Sequence, residues 1–222
     1  MAIAIDGTAQ AQFTTTTSSS VSLTTSGSDR ILIGAISLLN SGVSNVAMTY
    51  NGVSMTQIGT KTVGGAANVD VYLFYLIAPA TGANTFAASW TGNSSGSIFG
   101  ASYTGAKQTG QPDSSATGNT TDGSTHIAVA TTVVASNCWL VGIYRMDSNL
   151  SVSYDSGTTA RVVYQPNNFQ GQGILDSNGT VSTGSQSLGV TVGEAGIVGA
   201  MVVASIAPAT VSVNTTNFFA MM

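Results

Sequence analysis

The chain has 222 residues, a formal net charge of −4 and only 6% charged residues. An average soluble domain carries roughly 25%. A disordered chain needs low hydrophobicity with high charge, and this composition excludes it; five scattered basic residues (Arg30, Lys61, Lys107, Arg145, Arg161) exclude a phosphate-binding patch.

From the start, "MAIAIDGTAQAQF" has neither a basic n-region nor a long apolar h-region, so no secretion signal is expected and synthesis in the cytoplasm is. The Thr/Ser-rich stretch that follows reads as an extended arm, residues 1–20, feeding a sandwich domain over 21–208. Strands are predicted at 31–39, 46–50, 69–77, 84–91 and 97–105, then at 126–134, 138–146, 150–155, 160–165, 186–192 and 197–206. Each is short, rich in β-branched or aromatic residues, and bounded by Gly, Asn, Ser or Asp. Helix formers are too scarce to furnish exposed helical faces. The expected fold is all-β, an antiparallel two-layer β-sandwich of jelly-roll or concanavalin-like form.

Two patterns sharpen this. In "NTFAASWT", Phe86, Ala88 and Trp90 share one face. "VYLFYLI" is apolar on both faces, which predicts a central strand covered on both sides, with a neighbouring subunit as one cover. Asn51-Gly52 is the strongest short hairpin signal, because a type I′ turn needs positive φ twice.

The chain also echoes itself. "ILIGAISLL", "VAMTYNGVSMTQIG", "NTFAASWTG" and "SIFGASYTGA" return in order as "CWLVGIYRM", "LSVSYDSGTTARVV", "SQSLGVTVG" and "GIVGAMVVASIA". The spacing is too long for a solenoid. It reads as a duplicated four-strand unit whose copies interleave into one sandwich; two side-by-side domains are the alternative, with "GNTTDGST" (118–125) as the only linker-like seam.

The order "SDRILIGAISL … MTYNGVSMTQIG … VYLFYLIAPATGANTFAASW … GASYTGAKQTGQPD" resembles a β-sandwich family of tailed-phage structural proteins, related to bacterial surface β-sandwich modules. The resemblance spans about 21–208 and is clearest over 29–113. It implies a structural role without catalytic residues. Ala106-Lys107 stands where that family usually has Val-Asp. With no secretion signal expected, the resemblance implies location in a virion after synthesis in the host cytoplasm.

Reactive groups are sparse. Of the nine carboxylates, Asp6, Asp29, Asp113, Asp122, Asp147, Asp155 and Asp176 read mainly as turn-capping residues, and Asp70 as a strand residue able to pair with a cross-strand Lys or Arg. Glu194 is the single glutamate. His126 is the only histidine and opens a strand, with no nucleophile elbow in the sequence. One His and one Cys cannot build a zinc site; a calcium site of Asp and backbone carbonyls stays open. No cofactor is expected. Cys138 and Trp139 read as core. Trp90 also reads as core, with contact to a host-surface glycan as the other use of its ring. No apolar run reaches the ~20 residues of a membrane helix, so neither membrane nor nucleic acid is expected as a partner.

Residues 209–222 form the last segment. Phe218, Phe219, Met221 and Met222 are expected to dock on a neighbouring subunit or particle surface. Together these readings predict a non-enzymatic virion protein, a capsid decoration protein or a tail or fibre component. It would assemble with itself, a trimer being the expected form, and with other virion proteins such as the major capsid or tail protein. The alternative is a lectin-like carbohydrate-binding module.

Overall fold

The computed structural model describes residues 1–39, 42–64, 69–120, 124–147, 151–164, 171–193 and 198–210. Among them are fifteen strands and no helix: β1 Ala4–Thr25, β2 Ile31–Leu39, β3 Ser44–Tyr50, β4 Val53–Ser54, β5 Thr56–Val63, β6 Val69–Ile77, β7 Gly82–Thr104, β8 Ser114–Thr120, β9 His126–Val133, β10 Trp139–Asp147, β11 Val152–Tyr154, β12 Thr159–Tyr164, β13 Gln172–Asp176, β14 Gly184–Val192 and β15 Val198–Ile206. All ladders between these strands are antiparallel. The chain is all-β, and its sheets pack face to face.

The echo in the sequence becomes a repeated topology. β1 and β7 are long strands that each serve two layers of one continuous sheet. Residues Ala4 to Phe13 of β1 pair with Thr104 to Gly96 of β7, and Ser18 to Thr25 pair with Ser89 to Gly82. The first unit therefore has a five-stranded layer, β1–β7–β2–β6–β5, and a smaller layer in which the other halves of β1 and β7 join β3 and β4. The second unit repeats this with separate strands: β8–β15–β10–β13–β12, and β9–β14–β11. First pairs with last, second with seventh, third with sixth, the nested wrapping of a jelly roll. In the first unit β4 begins the innermost hairpin on β3, and the chain then crosses at Met55 to pair as β5 with β6.

Each repeat is thus larger than the four strands that echo in sequence. The two copies do not interleave as expected: every ladder between described strands lies within one copy. They stack instead. The two five-stranded layers face each other, with β2 over β10, β5 over β8 and β15, and β1 over β12. That arrangement is a pseudo-two-fold with the equivalent strands β2 and β10 at its centre.

Three apolar cores separate the four layers. The largest lies between the units and joins Ile31, Ile33, Leu73 and Phe99 to Val141, Ile143, Ile174 and Val202. The first unit's own core holds Leu32, Ile36, Phe74, Phe86 and Trp90; the second unit's holds Leu140, Met201, Val203, Leu188 and Val190. This explains the doubly apolar β6. Val71 and Leu73 face the second unit while Phe74 faces the first unit's small layer. The cover foreseen from a neighbouring subunit comes from the same chain.

Local signals are realised where they were strong. Asn51 and Gly52 have φ of 49° and 75°, and Tyr50 pairs with Val53 across them. Phe86, Ala88 and Trp90 are all buried. The predicted strands 84–91 and 97–105 are one strand, β7, which turns from one layer to the other near Gly92 to Gly96. β1, β4, β5, β8 and β13 were not anticipated. The segment read as an arm over 1–20 is extended, and it is hydrogen-bonded along β7 as part of the sandwich. It anchors on the core mainly through Phe13 and Leu23, too few large apolar residues to show as a strand by hydropathy.

Candidate functional site

Polar side chains converge at the seam between the two units. Asp176, at the end of β13, is fully buried. Its Oδ2 accepts from the Tyr103 hydroxyl of the first unit at 2.9 Å and from Arg161 Nε; its Oδ1 accepts from the Asn178 amide at 2.8 Å. The Asn178 bond fits the turn-capping reading, but the other partners make Asp176 a joint between units. Arg161 also lies 5.8 Å from the Trp139 ring centre, and Trp139 meets Tyr103 edge to face at 6.1 Å. Burial, then the adjacent Asp176 carboxylate, push the Tyr103 phenol well above its ordinary value, so it remains a donor.

A second polar group sits at the pseudo-two-fold centre. Arg145 donates from Nη1 to Ser37 Oγ at 2.9 Å and to Gln172 Oε1 at 3.3 Å. Ser37 and Arg145 occupy equivalent places on β2 and β10. Burial lowers the Arg145 guanidinium to about 10. Asp70 is not paired with a basic residue inside its own sheet; its neighbours across the ladders are Leu38 and Thr62. Burial raises its carboxyl, while a hydrogen bond from Thr62 and the charge of Arg145 oppose the rise. These groups are sealed between layers, which suits cohesion rather than chemistry on a ligand.

On the outer surface, among the described residues, His126 Nε2 meets Asp155 Oδ2 at 2.8 Å, with the side chains 44% and 34% exposed. Asp155 reaches His126 by lying over Gly189 of β14, where a Cβ would stand 2.0 Å from Oδ2. The neighbouring Ser124 Oγ meets the His126 backbone, donating to its carbonyl at 2.8 Å and accepting from its amide at 3.1 Å. Asp6 and Asp113 depart from the local turn-capping expected of them and tie together segments distant in sequence: Asp6 accepts from the Ser26 amide, Asp113 from the Val134 and Ala135 amides. Among the described residues no group of three His, Cys, Asp or Glu side chains comes together to hold a metal ion. Asp122 and Glu194 lie outside those residues.

Trp90 is only 5% exposed. It packs on Phe13 with ring centres 4.6 Å apart and donates from Nε1 to Thr16 O at 3.0 Å. Its ring is therefore an internal wedge under β1, where no sugar can stack on it. Trp139 and Cys138 are buried as expected, and burial raises the Cys138 thiol. The expected assembly residues Phe218, Phe219, Met221 and Met222 lie outside the described residues.

What the surface does offer is neutral backbone-rich structure. The small layers present outward rows of Ala, Ser and Thr, such as Ser20, Thr85 and Ala87 beside a shallow groove of about 490 Å³, and Ala128, Ala130 and Thr132 on β9. A hollow of about 610 Å³ lies where the chain start meets Pro208, lined by Met1, Lys107, Asn137 and Ala207 among others. Beside it begins β1, whose long outer edge pairs with no other described strand. Sequence reading placed assembly in the last residues and missed this edge. Its signal was the alternation in "TAQAQF", where Ala9, Ala11 and Phe13 turn inward and Thr8, Gln10 and Gln12 stay exposed.

No protein-family model matches this chain, and comparisons with curated proteins and with solved structures find no match.

Proposed function

We propose that the protein is a non-enzymatic structural protein of a bacteriophage virion, either a capsid decoration protein or a tail or fibre component, that works by protein–protein assembly. The observation that supports this reading most is the character of the surface. Neutral sheet faces of Ala, Ser and Thr and a long, nearly uncharged strand edge suit contact with other protein backbones. The residues that carry the phage-family resemblance fit a structural role as well. They supply β2, the Asn51-Gly52 hairpin and the end of β7. In this reading the chain is made in the host cytoplasm and ends in the particle, bound to itself and to a major capsid or tail protein. The lectin-like alternative loses its main residue with the burial of Trp90.

The test is quantitative mass spectrometry of purified virions from a producing host. A fixed copy number per particle, retained through density-gradient purification and salt washing, is expected. Absence of the chain from intact particles, with the protein left in the soluble lysate, overturns the proposal.

A further inference from the structure

We propose that β1 is the self-association edge of the protein, and that two copies pair β1 antiparallel about a two-fold axis at Gln10, merging two five-stranded layers into one continuous sheet. The inference deepens the assembly reading by naming its surface. A sheet edge presents a row of N–H and C=O groups whose natural complement is another strand. Proteins blunt such edges with charge, proline, bulges or short length. Most of the other edges here are blunted. β5 carries Lys61 and a register shift between Gln57 and Gly59. β12 carries Arg161 and a shift between Ala160 and Val162. β9 and β11 end at the His126–Asp155 pair. β3 is shifted between Ser44 and Ala47; β8 is uncharged and unshifted, but it is a seven-residue strand in all, against the 22 residues of β1.

β1 differs. It has 22 residues, no Pro, Lys or Arg, and one charge, Asp6. That carboxylate is engaged within its own chain by Ser26 and Ser102. Nothing on the edge repels a second copy of itself. Register shifts fall at Ile5/Gly7 and Phe13/Thr16 and leave Gly7 to Phe13 as an unbroken run. An antiparallel self-pairing that uses the whole run is centred on its middle residue, Gln10. Thr8 then opposes the partner's Gln12, and Ala9 opposes the partner's Ala11. The exposed row meets as amide and hydroxyl groups, the half-buried row as small apolar ones, and no charge faces a like charge. Such pairing is isologous, so it predicts a dimer or an even-numbered assembly in place of a trimer.

The test uses the full-length protein. Residues facing each other across an antiparallel pair lie with Cα atoms about 4.5–5.5 Å apart, within disulfide reach. Under mild oxidation Gln10→Cys is expected to form a covalent dimer, while Ser22→Cys, exposed on the far half of β1, stays largely monomeric. The native Cys138 is buried and does not compete. Sedimentation equilibrium is expected to show a dimer whose dissociation constant rises at least about tenfold in Gln10→Lys, which sets like charges at the axis, with an unchanged circular dichroism spectrum. A wild-type chain that stays monomeric at high concentration overturns the proposal. So does a dimer that Gln10→Lys leaves intact, including one lost instead in a Phe218→Ser/Phe219→Ser variant, which would assign association to the last residues. None of these results bears on whether the chain is found in purified virions.

Discussion

Tyr103→Phe isolates one bond between the two units. The substitution keeps the ring in the central core and deletes the hydroxyl that donates to Asp176 at 2.9 Å. A hydrogen bond to a charged group contributes about 1.5–3 kcal/mol. Asp176 keeps Arg161 and the Asn178 amide, so the cost should stay near that range and not reach the loss of a whole buried ion pair. With a urea m-value of about 2–3 kcal/mol/M, the midpoint falls by roughly 0.5–1.5 M. Asp176→Leu removes the acceptor from both Tyr103 and Arg161 and should cost about 3–5 kcal/mol. In that background the Tyr103 hydroxyl is an orphaned donor, so Tyr103→Phe becomes neutral or stabilising, and a double-mutant cycle gives a coupling of at least about 1.5 kcal/mol. The assay is equilibrium urea unfolding followed by tryptophan fluorescence, since Trp139 lies beside Tyr103. A Tyr103→Phe loss under about 0.5 kcal/mol with unchanged m, or zero coupling, would refute the seam as a joint held by this carboxylate.

Asp70→Asn tests the other buried carboxylate. Its folded-state carboxyl is raised above the ordinary 3.8, so the native chain binds that proton more tightly than the unfolded chain, and this contribution to stability is lost as pH rises from 3.8 through the raised value. The variant should gain on the wild type across that window and not below it, as read from urea midpoints over a pH series; a constant difference at all pH values would count against it. Gly96→Ala should destabilise by about 1–3 kcal/mol or more, because a Cβ there would lie 1.9 Å from Ser37 O, whereas Gly64→Ala, with open space around it, should stay within about 0.5 kcal/mol by thermal or urea unfolding. Trp90→Ala should cost about 3–5 kcal/mol as a core truncation, and both tryptophans should resist acrylamide quenching in the native protein; ready quenching would place one of them at the surface.

Much of the local structure was legible because it depends on neighbours in sequence. The period-two alternation of residues 84–91, the apolar run of β6 and the two positive φ angles demanded at Asn51-Gly52 are set by the pleat and by steric limits within a few residues. The four echoing pairs also identified equivalent strands correctly. Tertiary structure alone decided what covered each face. β6 needed two covers, and nothing local could say that one is the second unit of the same chain. β1 and β8 are strands because β7 and β15 supply hydrogen-bond partners; their Ser, Gly and Ala residues carry little strand signal, and their Thr residues have few large apolar neighbours to mark a buried face. Asp176 resembled a turn residue until folding brought Tyr103, 73 positions away, to its carboxylate. The open edge of β1 was hidden for the same reason: an edge is defined by the ladder that does not form beside it, and ladder formation is a property of the assembled sheet rather than of the strand.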